Sequence, residues 1–451
     1  NRDAQHIEDI LFSIPNINYS TGSSRGKFLQ IRGIGERSEF TEPVNYSVGV
    51  IIDGIDFTGI ALGASTFDVR QVEVLRGPQG TLYGANALAG LINIVSNDPT
   101  EDFYSEISGS ISEFGGKDFG VIISNSNDNN FGYRLGFKNS KSDGFIKNVF
   151  LNRDDTNDIN ETISRAKFTK NNDSTKLILN IFYADIDNGY DAFSLDNTRT
   201  TYSDEPGYDR QRTTAVSTKI EKILRNSDAI EILASFADSE LGYAYDEDWS
   251  NTGICDKTPC DSKLFGFDWW YSSFDSFNRD NQNNTLDLRY ISNSKNTNWV
   301  IGFYNRDQDI NLIRKYTYLE NDFKSSFDTR NSAIYGQLTN NFTNIIKLKA
   351  GLRFEERKAN YIDNNGPTPE GFFCIAIYPK PESCLFDNNY SRSENFWGGK
   401  VSLQGELNEN LMIYVLLSRG YKPGGVNIEG TINKQNLNYD SETMWNYELG
   451  L

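Results

Sequence analysis

The sequence predicts an antiparallel β-barrel of the membrane type, preceded by a small α/β domain of about 100 residues. Three observations lead there. From Phe103 onward, segments of about ten residues alternate in polarity and are separated by Asn, Asp, Gly and Ser clusters. Nowhere does the chain approach the ~18 consecutive apolar residues that a membrane helix needs. Near the end of the first domain, a turn at Arg76-Gly77-Pro78 and further glycines at 80, 84 and 90 lie between two apolar strands.

Composition allows this reading without forcing it. The chain has 451 residues, 37% of them hydrophobic, and a mean hydropathy of -0.55. A strand between lipid and a wet lumen alternates, so a barrel averages to low hydropathy. A net charge of -18 argues against nucleic acid, which asks for basic stripes. An acidic outer-membrane protein, a soluble acidic enzyme and a salt-adapted protein all remain compatible with that charge.

Taken in order, Ile7-Glu8-Asp9-Ile10-Leu11 reads as a short helix leading to Pro15. Gln30-Ile31-Arg32-Gly33 reads as a strand end, and Val50-Ile51-Ile52-Asp53-Gly54-Ile55 as a strand and an Asp-Gly turn. Phe67 to Gln71 leads into the strand Val72-Glu73-Val74-Leu75, and Leu91 to Val95 forms the strand after the Gly-rich loop. Four glycines (77, 80, 84 and 90) in fourteen residues imply a tightly folded loop, and Pro78 pre-sets a turn. The loop is not a phosphate cradle, because no Lys-Ser or Lys-Thr follows Gly84 or Gly90. Gly33-Ile34-Gly35 starts a dinucleotide-like pattern, but Ser38 occupies the third glycine position.

These five segments, in this order, resemble the plug domain of TonB-dependent outer-membrane receptors. The stretch Val74-Leu75-Arg76-Gly77-Pro78-Gln79-Gly80-Thr81-Leu82-Tyr83-Gly84 carries most of the likeness. The resemblance implies a plug over residues 1–100, a hinge at Asn97-Asp98-Pro99-Thr100 and a barrel over 103–451. Plugged transporters have about 22 strands, of which about fourteen are visible here. Asn1 is not an initiator Met, and Leu451 follows directly on a strand-like segment. The chain is therefore expected to lack the N-terminal box that engages the TonB complex and some C-terminal strands.

Within the barrel, Phe131–Phe137, Lys176–Tyr183, Ala229–Phe236, Thr285–Tyr290, Trp299–Tyr304, Ser332–Leu338 and Ile346–Phe354 stand out as strands. In the last, Ile346, Leu348, Ala350, Leu352 and Phe354 share one face, and Lys347, Lys349, Gly351 and Arg353 the other. Short turns at 171–173 and 408–410 alternate with long excursions over 239–280 and 359–394, as in a barrel with short periplasmic turns and long outer loops. No repeat of about 20 to 50 residues points to a solenoid or propeller. Leu411 to Asn427, with Ser418-Arg419-Gly420-Tyr421-Lys422, and Glu442 to Gly450 resemble family strands.

Candidate functional residues fall into three groups. Arg32, Asp53, Glu73 and Arg76 either lock plug to wall or relay ligand occupancy. Gly33, Gly54, Gly77, Pro78, Gly80, Tyr83, Gly84 and Gly90 complete the plug motif. In the stretch from Tyr243 to Phe277, Trp249, Trp269, Trp270 and Tyr271 either stack on a ligand or join an interfacial aromatic girdle. Tyr202, Tyr208, Arg210 and Arg212 read as an outer loop suited to an anionic ligand. Cys255 with Cys260, and Cys374 with Cys384, sit in polar loops and read as disulfide cysteines, with the pairing left open. Asp154, Asp155, Asp158 and Glu161 lack the spacing of a calcium loop and read as solvated charge. No hydrolase elbow, CxxC or His-Glu-x-x-His motif occurs, and His6 is the only histidine, so no enzyme, metal site or cofactor is expected. The same scarcity disfavours haem, which receptors of this family typically engage through histidine.

The resemblance implies TonB-driven import across a Gram-negative outer membrane, with lipid around the barrel. A ferric siderophore is the expected solute, and a carbohydrate or other organic nutrient is the alternative. A secreted or surface-exposed β-rich binding protein without transport is the alternative of another class.

Overall fold

The computed structural model describes residues 4–11, 13–36, 45–79, 87–195, 197–224, 227–257, 272–319, 321–343, 345–364, 389–426 and 438–451. It begins with a single-turn helix, α1 (Glu8–Leu11), whose Leu11 is buried. Strands β1 (Ile17–Ser20), β2 (Phe28–Ile31) and β3 (Ile34–Gly35) form a small antiparallel meander. A second sheet follows, built from β4 (Val48–Ile52), β5 (Ile55–Asp56), β6 (Val69–Arg76) and β7 (Gly90–Ser96) in the order β5-β4-β7-β6. β4 and β7 run parallel, both covered by neighbours, and accordingly read as near-continuous apolar runs.

Local chemistry sets the turns of this domain. Asp53 and Gly54, with φ of 49° and 82°, form the two-residue turn between β4 and β5. Two positive φ values are what a type I′ hairpin demands, and Asp-Gly adopts them at little cost. Gly90 has φ of 153°, and a β-carbon there would lie 2.3 Å from the Leu75 carbonyl oxygen. The close pairing of β6 and β7 depends on that missing side chain.

The remaining strands make one antiparallel sheet of fourteen. They are β8 (Tyr104–Ile111), β9 (Lys117–Ser126) and β10 (Phe131–Ser142), then, after the two-residue β11 (Lys147–Asn148), β12 (Ile159–Asn172) and β13 (Thr175–Tyr190). The two-residue β14 (Thr200–Thr201) precedes β15 (Gly207–Ile223), β16 (Ala229–Asp246), β17 (Phe274–Asn293), β18 (Thr297–Tyr316) and β19 (Phe323–Asn341). β20 (Ile346–Asp363), β21 (Asn389–Asn408) and β22 (Leu411–Lys422) come next. The short β23 (Gly425–Val426) and β24 (Asn438–Tyr439) pair with each other before β25 (Glu442–Gly450).

The sheet has one dry outward face and one inward face packed on the first domain. On β13, Asn180, Phe182, Ala184, Ile186 and Asn188 are buried inward. Leu177, Leu179, Ile181 and Tyr183 point the other way and remain partly or fully exposed. The same phase leaves Phe303, Ile334, Leu352, Phe354 and Trp397 on the outside. Seven residues of strand cover ~23 Å, which is the height of a lipid-facing band.

The segments legible in the sequence are only the lipid-crossing parts of these strands. β16 and β17 reach Asp246 and Phe274, and β20 and β21 reach Asp363 and Asn389, so the long excursions are shorter than the sequence predicts. Above the apolar band the outward face is largely polar and the inward face mixes buried polar residues with rings, so alternation no longer marks the strand.

Inside, the first domain packs its apolar side on the wall. Phe57 meets Phe182 edge-on at 5.2 Å, and Ala184, Ala215 and Ala237 line the contact as fully buried wall residues. Alanine at those inward positions lets the 3-10 turn Ala61–Gly63 approach the strands closely.

Candidate ligand vestibule and plug contacts

Buried polar contacts fasten the inner domain to the wall. Asp68 takes Arg134 through both carboxylate oxygens, with Nε at 2.9 and 2.8 Å and Nη2 at 2.6 Å. Asp53 lies 3.7 Å from Arg165 and 3.8 Å from Lys167, and its backbone carbonyl accepts from Ser217 Oγ at 2.7 Å. Asp56 pairs with Arg306 at 3.1 Å, and Asn283 donates to the Asp56 carbonyl at 2.9 Å. Gln211 donates to the Ile60 carbonyl at 3.1 Å. Each of these wall residues points inward from a strand, far from its partner in sequence but fixed by register.

A second cluster holds α1 in place. Arg25 bridges Glu8 at 3.2 Å and the wall residue Glu161, whose oxygens accept Nε at 2.8 Å and Nη2 at 3.0 Å. Its guanidinium is held above the usual range by those carboxylates, although burial opposes the shift. His6 is buried beside them. Its Nδ1 accepts the Glu8 backbone N–H at 3.3 Å, and its Nε2 lies 3.2 Å from the Ala61 carbonyl. That pattern selects the neutral Nε2–H tautomer. Burial lowers the His6 pKa, Glu8 and Glu161 pull it up, and Arg25 adds to the lowering.

On the long-loop side of the inner domain, the wall turns aromatic. Tyr190, Tyr243, Phe277, Phe327, Tyr361 and Tyr390 belong to one inward-facing apolar cluster with Ile310 and Leu312. The Tyr190 and Tyr243 rings lie 5.4 Å apart, and Tyr243 and Phe277 lie 6.3 Å apart. Two cations sit on these faces: Lys27 from the inner domain is 5.1 Å from the Tyr243 centroid, and Arg314 is 5.1 Å from that of Phe277. Each also has a carboxylate. Lys27 lies 3.6 Å from Asp209, and Arg314 grips Asp275 at 3.0 and 2.8 Å. Below, between Asn45, Tyr46 and Gly59 of the inner domain and Arg306 and Arg357 of the wall, a cleft of about 30 Å³ remains. That volume holds a water or two. The arrangement is an aromatic basin beside a narrow plug-to-wall cleft.

The residues singled out in the sequence fall in several places. Arg32 pairs with Glu448 of β25 at 3.2 Å, and the following Gly33 has φ of 79°. Gly54 packs beside Leu233 of the wall. Glu73 stays within its own sheet, accepting from Asn93 at 2.8 Å and Gln71 at 2.9 Å. Arg76 is exposed at the end of β6, so neither Glu73 nor Arg76 joins the buried plug-to-wall ion pairs. Gly77 has φ of 83° and donates to the Ala89 carbonyl at 2.9 Å, while Pro78 approaches Gly420 of β22. Gly80, Tyr83 and Gly84 lie outside the described residues.

Tyr208, Arg210 and Arg212 correct the expectation of an outer ligand loop. They lie on β15, in the phase that faces away from the lumen. Arg210 pairs with Asp187 at 2.5 Å, and Arg212 lies 3.7 Å from both Asp185 and Glu240. The polar composition of that strand top makes it look like a loop in the sequence. Tyr202 and Trp249 do lie in long loops. Asn251 donates to the Tyr202 carbonyl at 2.9 Å, and Trp249 stacks on Phe193 at 4.7 Å. Trp269, Trp270 and Tyr271 lie outside the described residues. Cys255 is disulfide-bonded, while Cys260, Cys374 and Cys384 lie outside the described residues. Asp155 pairs with Arg153, and Glu161 with Arg25. Among the described residues no group of carboxylates, cysteines and histidine is arranged to hold a metal ion.

A transmembrane β-barrel wall wrapped around a separately folded inner domain defines a plugged membrane receptor. Comparison with known proteins assigns the family. The TonB-dependent receptor plug domain matches residues 1–91, and the TonB-dependent receptor-like β-barrel matches residues 110–451. The chain belongs to the TonB-dependent receptor family, a family of receptors and not of enzymes. The pesticin receptor of Yersinia enterocolitica is 22% identical over 450 residues, covering 97% of this chain and 61% of that protein. The catecholate siderophore receptor Fiu of Escherichia coli K12 is 33% identical over 108 residues, 24% of this chain and 13% of that one. In the fold, the ferric yersiniabactin uptake receptor FyuA of Yersinia pestis superposes with a TM-score of 0.80 at 20% identity, covering 99% of this chain and 66% of that one. This chain thus spans about 61% of the length of the pesticin receptors it matches.

Proposed function

We propose that this receptor sits in a Gram-negative outer membrane, with its long loops outside, and imports a ferric siderophore. The observation that carries the reading is the aromatic basin of Tyr190, Tyr243 and Phe277 above a plug packed on the wall. A flat, ring-bearing chelate stacks on such rings, and because the plug packs on the wall beneath them, passage depends on moving it. Similarity to receptors named for siderophores supports the same solute class.

The plug, taken as residues 1–100, is the gate, and residues 103–451 form the wall. Ligand entering the basin meets Lys27 of the plug as well as Tyr243 of the wall. Its arrival alters contacts that also hold the loop after β1, because Asp209 accepts from both the backbone N–H and the hydroxyl of Ser24. Energy for displacing the plug comes from a TonB complex acting on the periplasmic side. Arg32 and the turn at Gly77 and Pro78 face β22 and β25, and we assign them to the contacts released in that step.

Uptake of radiolabelled ferric siderophores by iron-starved cells, with and without a working TonB, tests the proposal. Uptake of a siderophore that requires TonB is expected. Correct insertion with no uptake across a broad panel would move the assignment to an organic nutrient.

A further inference from the structure

We infer that the vestibule takes an iron chelate of zero or positive net charge bearing a flat ring, and rejects tri-anionic ferric complexes. The inference rests on the iron reading above and narrows it. Its first support is that three of the cations around the basin already carry carboxylate partners, while Arg357 is engaged by the Gly424 carbonyl and Asn45. Lys27 lies 3.6 Å from Asp209, Arg314 grips Asp275 through two hydrogen bonds, and Arg306 lies 3.1 Å from Asp56. A tri-anion entering there would have to strip these pairs, leaving buried Asp209 or Asp275 without its cation, or enter with its own charge unmatched. Either course loses desolvation energy that an uncharged chelate never gives up.

The second support is the field at the entrance. The described residues of the seven long-side connections, which join β8–β9, β10–β12, β13–β15, β16–β17, β18–β19, β20–β21 and β22–β25, include 13 acidic and 4 basic residues. The described residues of the six short-side turns include 4 acidic and 1 basic residue. Among the described residues the mouth therefore carries a net charge of -9, against -3 on the short side. A concave mouth of one sign concentrates oppositely charged solutes and repels like-charged ones. The rings below add no charge requirement and favour planar apolar surface. Partnered cations, an acidic mouth and an aromatic basin select the same chemistry.

The test is binding to the purified receptor in detergent, followed by ligand-induced quenching of intrinsic fluorescence. Three probes are compared: a neutral ferric tris-hydroxamate, a ferric complex of an aromatic phenolate chelator with zero or positive charge, and a tri-anionic ferric tris-catecholate. The low-charge aromatic complex should bind at least ~10-fold more tightly than the tri-anion at low salt. Salt should improve tri-anion binding by screening repulsion. Phe277→Ala should weaken the aromatic complex more than the hydroxamate, and Glu205→Lys with Glu247→Lys should improve the tri-anion. Tightest binding of the tri-anion, weakened by salt, overturns the inference and leaves the iron reading standing. Failure of all three ferric probes, with an organic nutrient binding instead, overturns both.

Discussion

At the scale of single residues, the polar contacts between plug and wall are mostly buried pairs of named side chains, so individual substitutions should be informative. Asp68 has φ of 53° and holds Arg134 through both oxygens while its own Oδ1 accepts from Asn97 at 2.8 Å. Asp68→Asn tolerates the backbone conformation but removes the charge, leaving the guanidinium without its counter-ion. A loss of ~2–3 kcal/mol in plug docking is expected, read as an earlier plug transition in denaturant and as leakage of small antibiotics. His6 gives a pH prediction with a definite sign. Its folded pKa lies below the unfolded value of about 6.5, so the unfolded chain takes up the proton first. Stability is then full above pH ~6.5 and falls as the pH drops below it, levelling off once the folded form also protonates. Thermal melts between about pH 7.5 and 5.5 should show this slope in the parent and less of it in His6→Gln. An equal slope in both would remove His6 from the account.

At the scale of elements, register decides which side of a strand meets lipid. Leu352 lies outward on β20, opposite Gly336 of β19 and Gly399 of β21. Leu352→Arg should cost ~2–4 kcal/mol when folding into lipid vesicles. The neighbouring Lys349, on the inward phase, should accept polar replacements with little effect. Gly90 makes a contrasting element-level prediction. Gly90→Val would press a side chain into the Leu75 carbonyl and disrupt β6–β7 pairing. Protease should then cut the plug while the wall stays intact. Alternation in Ile346–Phe354 was legible because lipid imposes period two on the outward face. The tops of β15 and β17 were not legible, since their buried inward faces hold polar residues such as Asp209, Gln211 and Asp275 and their outward faces are polar too, so burial there writes no hydrophobic period into the sequence. The aromatic basin was only half visible. Tyr243 and Phe277 stood out as rings, but Lys27 and Arg314 gained meaning only when folding brought them onto those rings.

For the whole molecule, charge is distributed with a direction. If the acidic mouth steers solutes, association of a cationic ferric chelate should slow by ~10-fold or more between low and high salt. Stopped-flow binding would show it, and a salt-independent rate would count against steering. The long loops also carry structure of their own. β11 and β14 join two of them in parallel. Asp191 accepts from Asn148 at 3.0 Å, Thr156 at 2.7 Å and Thr201 at 2.8 Å, and Phe193 of one loop stacks on Trp249 of the next. This stitching has an immunological consequence. An antibody raised against the intact receptor would recognise a composite patch drawn from three separate stretches of chain. Linear peptides copied from any one loop would not compete for it, and a vaccine antigen would have to preserve the stitching to present the patch at all.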